Sequence, residues 1–166
     1  MGETATERNL YKAFTGEAKA SMRLKGYAEK ADAEGFRQMA RLFRAIAAAE
    51  EIHALKQLRL LKVIGSTEEN LAASFEREKS VSENVYPEFI RTAEEEGNEA
   101  ARVSFSHARD AEEYHAKLYK EAVDRMIADR DTVYHVCTIC GFVAEGDAPA
   151  ACPVCGVPAS KFRLVS

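Results

Sequence analysis

Four stretches of the chain carry apolar residues at alternating steps of three and four, the spacing of one face of a helix in a bundle. The first, residues 4–31, repeats through Leu10, Phe14, Ser21, Leu24, Ala28 and Ala31. The second, residues 36–64, runs Phe36, Met39, Phe43, Ile46, Leu60 and Ile64. Residues 67–95 follow with Leu71, Phe75, Ser82, Val85 and Phe89, and residues 98–129 with Ala101, Phe105, Ala108, Tyr119, Ala122 and Met126. Thr4-x-x-Glu7 and Ser66-x-x-Glu69 predict capping boxes at two helix starts. Asp32 to Gly35 and Glu94 to Gly97 predict turns, and Gly65 ends the second helix. Pro87 predicts a kink or loosening of the third helix, because proline removes a hydrogen bond and crowds the preceding turn.

Polar residues interrupt these seams at particular places. Glu17, Glu50, Glu78 and Glu112 occupy positions where apolar residues belong, and His53 and His115 follow two of them by three. Residues three apart share a helix face, so each Glu-x-x-His can ligate one metal ion. An isolated buried carboxylate is too costly to stay charged, and pairing or metal ligation offsets that cost. The alternatives are a partly solvated seam or protonated glutamates. Ala49-Glu-Glu-Ile-His53 recurs as Ala111-Glu-Glu-Tyr-His115, and both histidines stand 18 residues beyond a turn glycine, Gly35 or Gly97. Glu17 and Glu50 are equidistant from the first turn, and Glu78 and Glu112 from the second, each about 25 Å away at 1.5 Å per residue. Two packed hairpins would therefore bring all four glutamates to one layer. Dimetal carboxylate bundles use this pattern: Glu-x-x-His on two helices and a lone Glu on each of the other two.

All four cysteines lie near the end of the chain. Cys137-Thr-Ile-Cys140 and Cys152-Pro-Val-Cys155 are paired Cys-x-x-Cys knuckles separated by 11 residues. Residues 133–166 are too few for a sufficient apolar core, and a four-thiolate metal site would stabilise them. The ligands suit Zn, as in a structural zinc ribbon, or a single Fe. Clustered cysteines with none in residues 1–136 predict a reducing, cytoplasmic setting. The chain has 166 residues, 46% of them hydrophobic, and a formal net charge of -4, without a basic cluster; nucleic acid is not an expected partner. No apolar run approaches the roughly 20 residues that span a bilayer, and the charged start is not that of a secretory signal.

The order of these motifs resembles the rubrerythrin family over nearly the whole chain. The matching stretches are Gly16-Glu-Ala-Lys-Ala20, Glu50-x-x-His53, Glu76-Arg-Glu78, Tyr86-Pro-Glu-Phe89, Glu112-x-x-His115 and both knuckles. The resemblance implies an all-α, four-helix ferritin-like bundle over residues 1–131 and a small rubredoxin-like β-ribbon over residues 132–166. It implies two Fe ions held by Glu17, Glu50, His53, Glu78, Glu112 and His115, with Glu50 and Glu112 bridging and Tyr86 close by. One Fe (or Zn) would sit on Cys137, Cys140, Cys152 and Cys155. The implied activity is reduction of hydrogen peroxide to water, with electrons supplied by a reductase or rubredoxin. The alternatives are a ferroxidase or diiron oxidase, or a zinc-ribbon binding module on a helical scaffold. Two positions depart from the family. Val81 replaces a carboxylate three residues after Glu78, and Leu24 stands where a tyrosine is frequent. The distance from the tail to the carboxylate layer, with the resemblance, predicts a homodimer in which one chain's cysteine module approaches the other's bundle.

Overall fold

The computed structural model describes residues 4–125 and 132–165. Packing divides the chain into two compact units, Met1–Gly65 and Ser66–Ser166.

The first unit is a helical hairpin of α1 (Ala5–Ala33) and α2 (Arg37–Leu60). The predicted capping box starts α1: the Glu7 N–H donates to Thr4 Oγ1 at 3.2 Å, and the Thr4 N–H donates to Glu7 Oε2 at 2.7 Å. Gly35, at φ 83°, ends it, with the Gly35 N–H on Asp32 O and the Phe36 N–H on Ala31 O. This left-handed cap suits glycine because it has no Cβ. The two helices meet along a ridge of small residues. Ser21, Ala28 and Ala31 face Ala40, Ala47 and Ala54, all buried. The α2 alanines recur every seventh residue, which keeps them on one line. The larger residues expected inward lie one step round the helix and stay open: Met39 is 47% exposed, Ile46 40% and Leu60 58%. Alanines permit close helix approach but bury little area, so the hairpin leaves its main apolar seam uncovered.

The second unit begins with the other predicted capping box, Ser66 with Glu69. Its first helical rod is not continuous. α3 (Thr67–Ser80) passes through a π-helical turn, Val81–Val85, into α4 (Tyr86–Glu95). The Tyr86 N–H reaches back five residues to Val81 O, and the buried Ser82 hydroxyl donates to Lys79 O at 3.1 Å. Pro87 supplies no N–H, and the widened turn directly before it is the loosening that proline predicts. Gly97 repeats the cap of Gly35: its N–H bonds Glu94 O, and the Asn98 N–H bonds Ala93 O. Asn98 then caps α5 (Glu99–Arg125) through Oδ1 on the Ala101 N–H. α5 packs against α3 and α4, where the Phe89 and Phe105 rings meet at a tilt with centroids 5.6 Å apart. Met126, expected on this seam, lies outside the described residues.

The cysteine module is a three-stranded antiparallel sheet in the order β2-β1-β3. Its strands are β1 (Tyr134–Cys137), β2 (Val143–Glu145) and β3 (Phe162–Val165). Cys137, Cys152 and Phe142 form its core, with Phe162 and Val157 against them. Phe142 also leaves the module: its ring meets Tyr114 of α5 edge-on, with centroids 4.8 Å apart.

Candidate metal centres

The first cluster forms on the hairpin. Glu17 from α1 and Glu50 and His53 from α2 place one donor atom each within 4.8 Å of one another. His53 Nδ1 lies 3.0 Å from Glu50 Oε2. The Glu17 carboxyl is pushed above its ordinary range, chiefly because it shares a hydrogen bond with Glu50. Glu51, the neighbouring glutamate, turns the other way. Ser21 Oγ donates to it at 3.2 Å and Lys25 pairs with it, which holds its carboxyl below the usual range. One glutamate of the pair thus faces the cluster and the other faces solvent.

The second cluster has the same plan. Glu78 from α3 meets Glu112 and His115 from α5, again with donor atoms within 4.8 Å. His115 Nδ1 stands 2.8 Å from Glu112 Oε2. Burial, then a hydrogen bond with Glu112 and its charge, pushes the Glu78 carboxyl up to about 7. Glu113 points out and pairs with Lys117 at 2.8 Å. Tyr86, expected beside this site, packs on Phe89 and Phe105, and its phenol is held in the neutral form first by burial and then by Glu112 and Glu78.

Carboxylates crowded in this way repel one another unless a proton or a cation lies between them. That repulsion is part of what raises the Glu17 and Glu78 carboxyls, and a hard divalent cation held between the carboxylates would relieve it. The oxygen-plus-imidazole donor set fits iron. Val81 contributes no donor, and no further carboxylate joins the second cluster among the described residues.

The third cluster is tetrahedral in its donor count. Cys137, Cys140, Cys152 and Cys155 gather with Cys137 Sγ 3.7 Å from Cys155 Sγ and Cys140 Sγ 3.6 Å from Cys152 Sγ. Burial opposes ionisation of Cys137, but the N–H groups of Cys140 and Ile139 outweigh it and bring the thiol down to about 7. The same burial raises Cys140 and Cys155. A thiol poised to ionise beside others held neutral by burial is a site that a metal completes.

The motifs did not reveal how the second and third clusters are joined. Gly141 follows the first knuckle at φ 83°, and its carbonyl accepts a hydrogen bond from His115 Nε2–H at 3.0 Å. A carbonyl only accepts, so Nε2 carries a proton here, which leaves Nδ1 as the nitrogen that would ligate a metal. A glycine after the knuckle was readable as a tight turn, but the partner of its carbonyl was not. His53 has no comparable contact on its far nitrogen among the described residues. One turn beyond it, Gln57 Oε1 is buried without a partner. Beside His115 lies a cavity of about 370 Å³ lined by Leu71, Leu118, Tyr119, Ala122, Tyr134 and Val143. Within Ser66–Ser166 this hydrogen bond brings the cysteine module to the Glu78, Glu112 and His115 cluster.

Glutamate and histidine clusters on paired helical hairpins, joined to a four-thiolate ribbon, define a dimetal carboxylate protein with an attached rubredoxin-like centre. The chain belongs to the rubrerythrin family: the rubrerythrin model matches residues 8–123, and the rubrerythrin rubredoxin-like domain matches residues 135–163. It is 34% identical to nigerythrin of Nitratidesulfovibrio vulgaris over 172 residues, covering 95% of this chain and 85% of that one. It is 32% identical to rubrerythrin-2 of Clostridium acetobutylicum over 171 residues, covering 93% of each. Among solved structures, nigerythrin in a mixed-valence state aligns with a TM-score of 0.60 at 34% identity, covering 99% of this chain and 88% of that one. The expected fold class, a ferritin-like helical bundle with a four-cysteine ribbon, is that of this family. The family's diiron and four-cysteine centres correspond to the clusters described above. No helix among the described residues is long and apolar enough to cross a membrane.

Proposed function

We propose that this redox protein is a peroxidase that reduces hydrogen peroxide to water in a reducing, cytoplasmic setting. The helical domain, residues 1–131, holds the iron pair on Glu17, Glu50, His53, Glu78, Glu112 and His115. The ribbon, residues 132–166, holds one iron on its four cysteines. The observation that carries the reading is His115, which offers Nδ1 to the carboxylate cluster and Nε2–H to the knuckle carbonyl of Gly141. One imidazole therefore connects the two centres by a covalent ring and one hydrogen bond.

Iron held by the carboxylate and imidazole clusters would supply two-electron reduction of an O–O bond, and iron held by Cys137, Cys140, Cys152 and Cys155 would supply single-electron transfer from an external reductase or rubredoxin. Peroxide, two electrons and two protons give two waters. The residues supply the surroundings. The cavity beside His115 is lined mainly by apolar side chains and admits a small neutral molecule. Tyr86 stays protonated next to Glu78 and Glu112, so its phenol is a donor to a carboxylate or to an oxygen of the substrate.

Rapid mixing of the reduced, iron-loaded protein with peroxide and with dioxygen tests the reading. Oxidation by peroxide at least about tenfold faster than by dioxygen at equal concentration supports a peroxidase. The reverse order identifies an oxidase or ferroxidase, which the set of four Glu and two His without an acid at Val81 would also serve. A zinc-only, colourless four-cysteine site in protein from iron-replete cells would remove the electron relay.

A further inference from the structure

We propose, resting on the peroxidase reading above, that the outward face of α2 beside His53 is a docking site for a small acidic protein that carries single electrons. The face is built of Ile52, Leu55, Lys56 and Arg59, and it is separate from the cysteine ribbon.

The chain presents one helical face twice. Ala49-Glu-Glu-Ile-His53 aligns with Ala111-Glu-Glu-Tyr-His115, so Ile52, His53, Lys56 and Arg59 of α2 match Tyr114, His115, Leu118 and Glu121 of α5. Steps of one, three and three keep the four residues on one side of a helix. On α5 the cysteine module covers that side. Tyr114 meets the Phe142 ring, His115 donates Nε2–H to Gly141 O, and Leu118 and Glu121 line a cavity of about 480 Å³ with Phe142 and Val143. On α2 the same side is open. Ile52 is 66% exposed, Leu55 45%, and Lys56 and Arg59 are exposed beside them. His53 turns Nδ1 to Glu50, and its side chain is 56% exposed.

Charge selects the partner. Residues 1–65 hold 12 Lys and Arg against 8 Asp and Glu, a net +4, while residues 66–166 hold 11 against 19, a net -8. Most acids of the hairpin are committed. Glu17 and Glu50 belong to the cluster, Glu7 to its cap, Glu51 to Lys25, Glu34 to Lys30 and Asp32 to Arg44. From Ile52 to Gly65 the chain carries three cations, Lys56, Arg59 and Lys62, and no acid. None of the three makes an ion pair among the described residues. The matching stretch from Tyr114 offsets Lys117 and Lys120 with Glu121 and Asp124. The face that takes the chain's own ribbon is therefore mixed in charge, and the open one is wholly basic. An apolar centre with a charged rim is the build of a protein interface, and a basic rim fits and attracts an acidic partner. Ile52 stands where Tyr114 receives an aromatic ring, so the partner offers an apolar side chain there. His53, next to it, belongs to the carboxylate cluster. A partner seated on Ile52 thus lies against an imidazole of the redox centre, as the ribbon does at His115, which points to an electron carrier. Two one-electron encounters match the two electrons that, with two protons, turn one peroxide into two waters.

Zinc-substituted rubredoxin, an acidic four-cysteine carrier that the zinc makes redox-inert, tests the face by binding alone. It is titrated into the full-length protein in a calorimeter, without peroxide. Binding should be measurable at about 50 mM salt and weaken at least about fivefold at about 200 mM. Lys56→Glu with Arg59→Glu should weaken it at least about tenfold, and Ile52→Asp likewise. Lys161→Glu on the ribbon should change it less than about twofold. Far-UV circular dichroism should be unchanged in the charge variants, whose residues are exposed. No binding, or binding lost in Lys161→Glu and kept in the double variant, overturns the proposal. A DNA duplex that binds more tightly than the carrier and is released by the same double variant also overturns it, since the face then serves nucleic acid. Carrier binding at this face, beside faster oxidation by dioxygen than by peroxide, upholds the docking site and removes only the peroxidase reading.

Discussion

At each Glu-Glu pair the chain contains two adjacent carboxylates with opposite duties. Glu50 and Glu112 face the clusters, while Glu51 and Glu113 are tied to Lys25 and Lys117 on the outside. Glu112→Ala should therefore abolish iron pairing and lower peroxide turnover by at least about a hundredfold, whereas Glu113→Ala should leave both within about twofold; iron analysis and steady-state rates distinguish them. The crowded pair also sets a pH dependence. Glu78 has a folded-state pKa of about 7, above its ordinary 4.5. A raised carboxyl contributes stability that is complete below 4.5 and is lost as pH rises through 7. The metal-free protein should accordingly melt at a lower temperature at pH 8 than at pH 5, measured by circular dichroism. Iron, which favours the ionised carboxylates, should flatten or reverse that slope. The helical residues that gather in the clusters were legible because each breaks an apolar seam. The carbonyl of Gly141 was not, because a backbone atom leaves no mark on composition or spacing.

At the scale of elements, the duplication visible in the sequence returns as two hairpins with the same glycine cap and the same Glu-x-x-His offset. Caps and turns were readable because they depend on local chemistry. Helix packing was read less well. The alternating seam marks the face of an assembled bundle, while the hairpin's own contact runs along Ala40, Ala47 and Ala54 one step away. Alanine carries too little hydrophobic signal to announce such a ridge. The π-helical turn at Val81–Val85 was visible only as Pro87. The contact between Tyr114 and Phe142 seats the module on α5, and an aromatic pair of this kind contributes about 1 kcal/mol. Tyr114→Ala should leave the visible spectrum of the four-cysteine iron intact but slow electron delivery to the helical centre by about tenfold, followed by stopped-flow absorbance. Cys152→Ser should unfold the ribbon and spare most of the helical ellipticity, since α1 to α5 lie outside the four-cysteine module.

The whole molecule combines two centres of different character. One is built of carboxylates and imidazoles, the other of four thiolates, and His115 joins the first to the Gly141 carbonyl beside the second. Peroxide should meet the first and draw on the second only through it. The direct measurement is rapid mixing of the fully reduced, iron-loaded protein with hydrogen peroxide while the colour of the ferric four-cysteine site is recorded, in the wild type and in Glu112→Ala. The colour should return quickly in the wild type and at least about a hundredfold more slowly in the variant, whose ribbon is intact. Equal rates in the two proteins would mean that peroxide oxidises the thiolate iron by itself, and would contradict the relay.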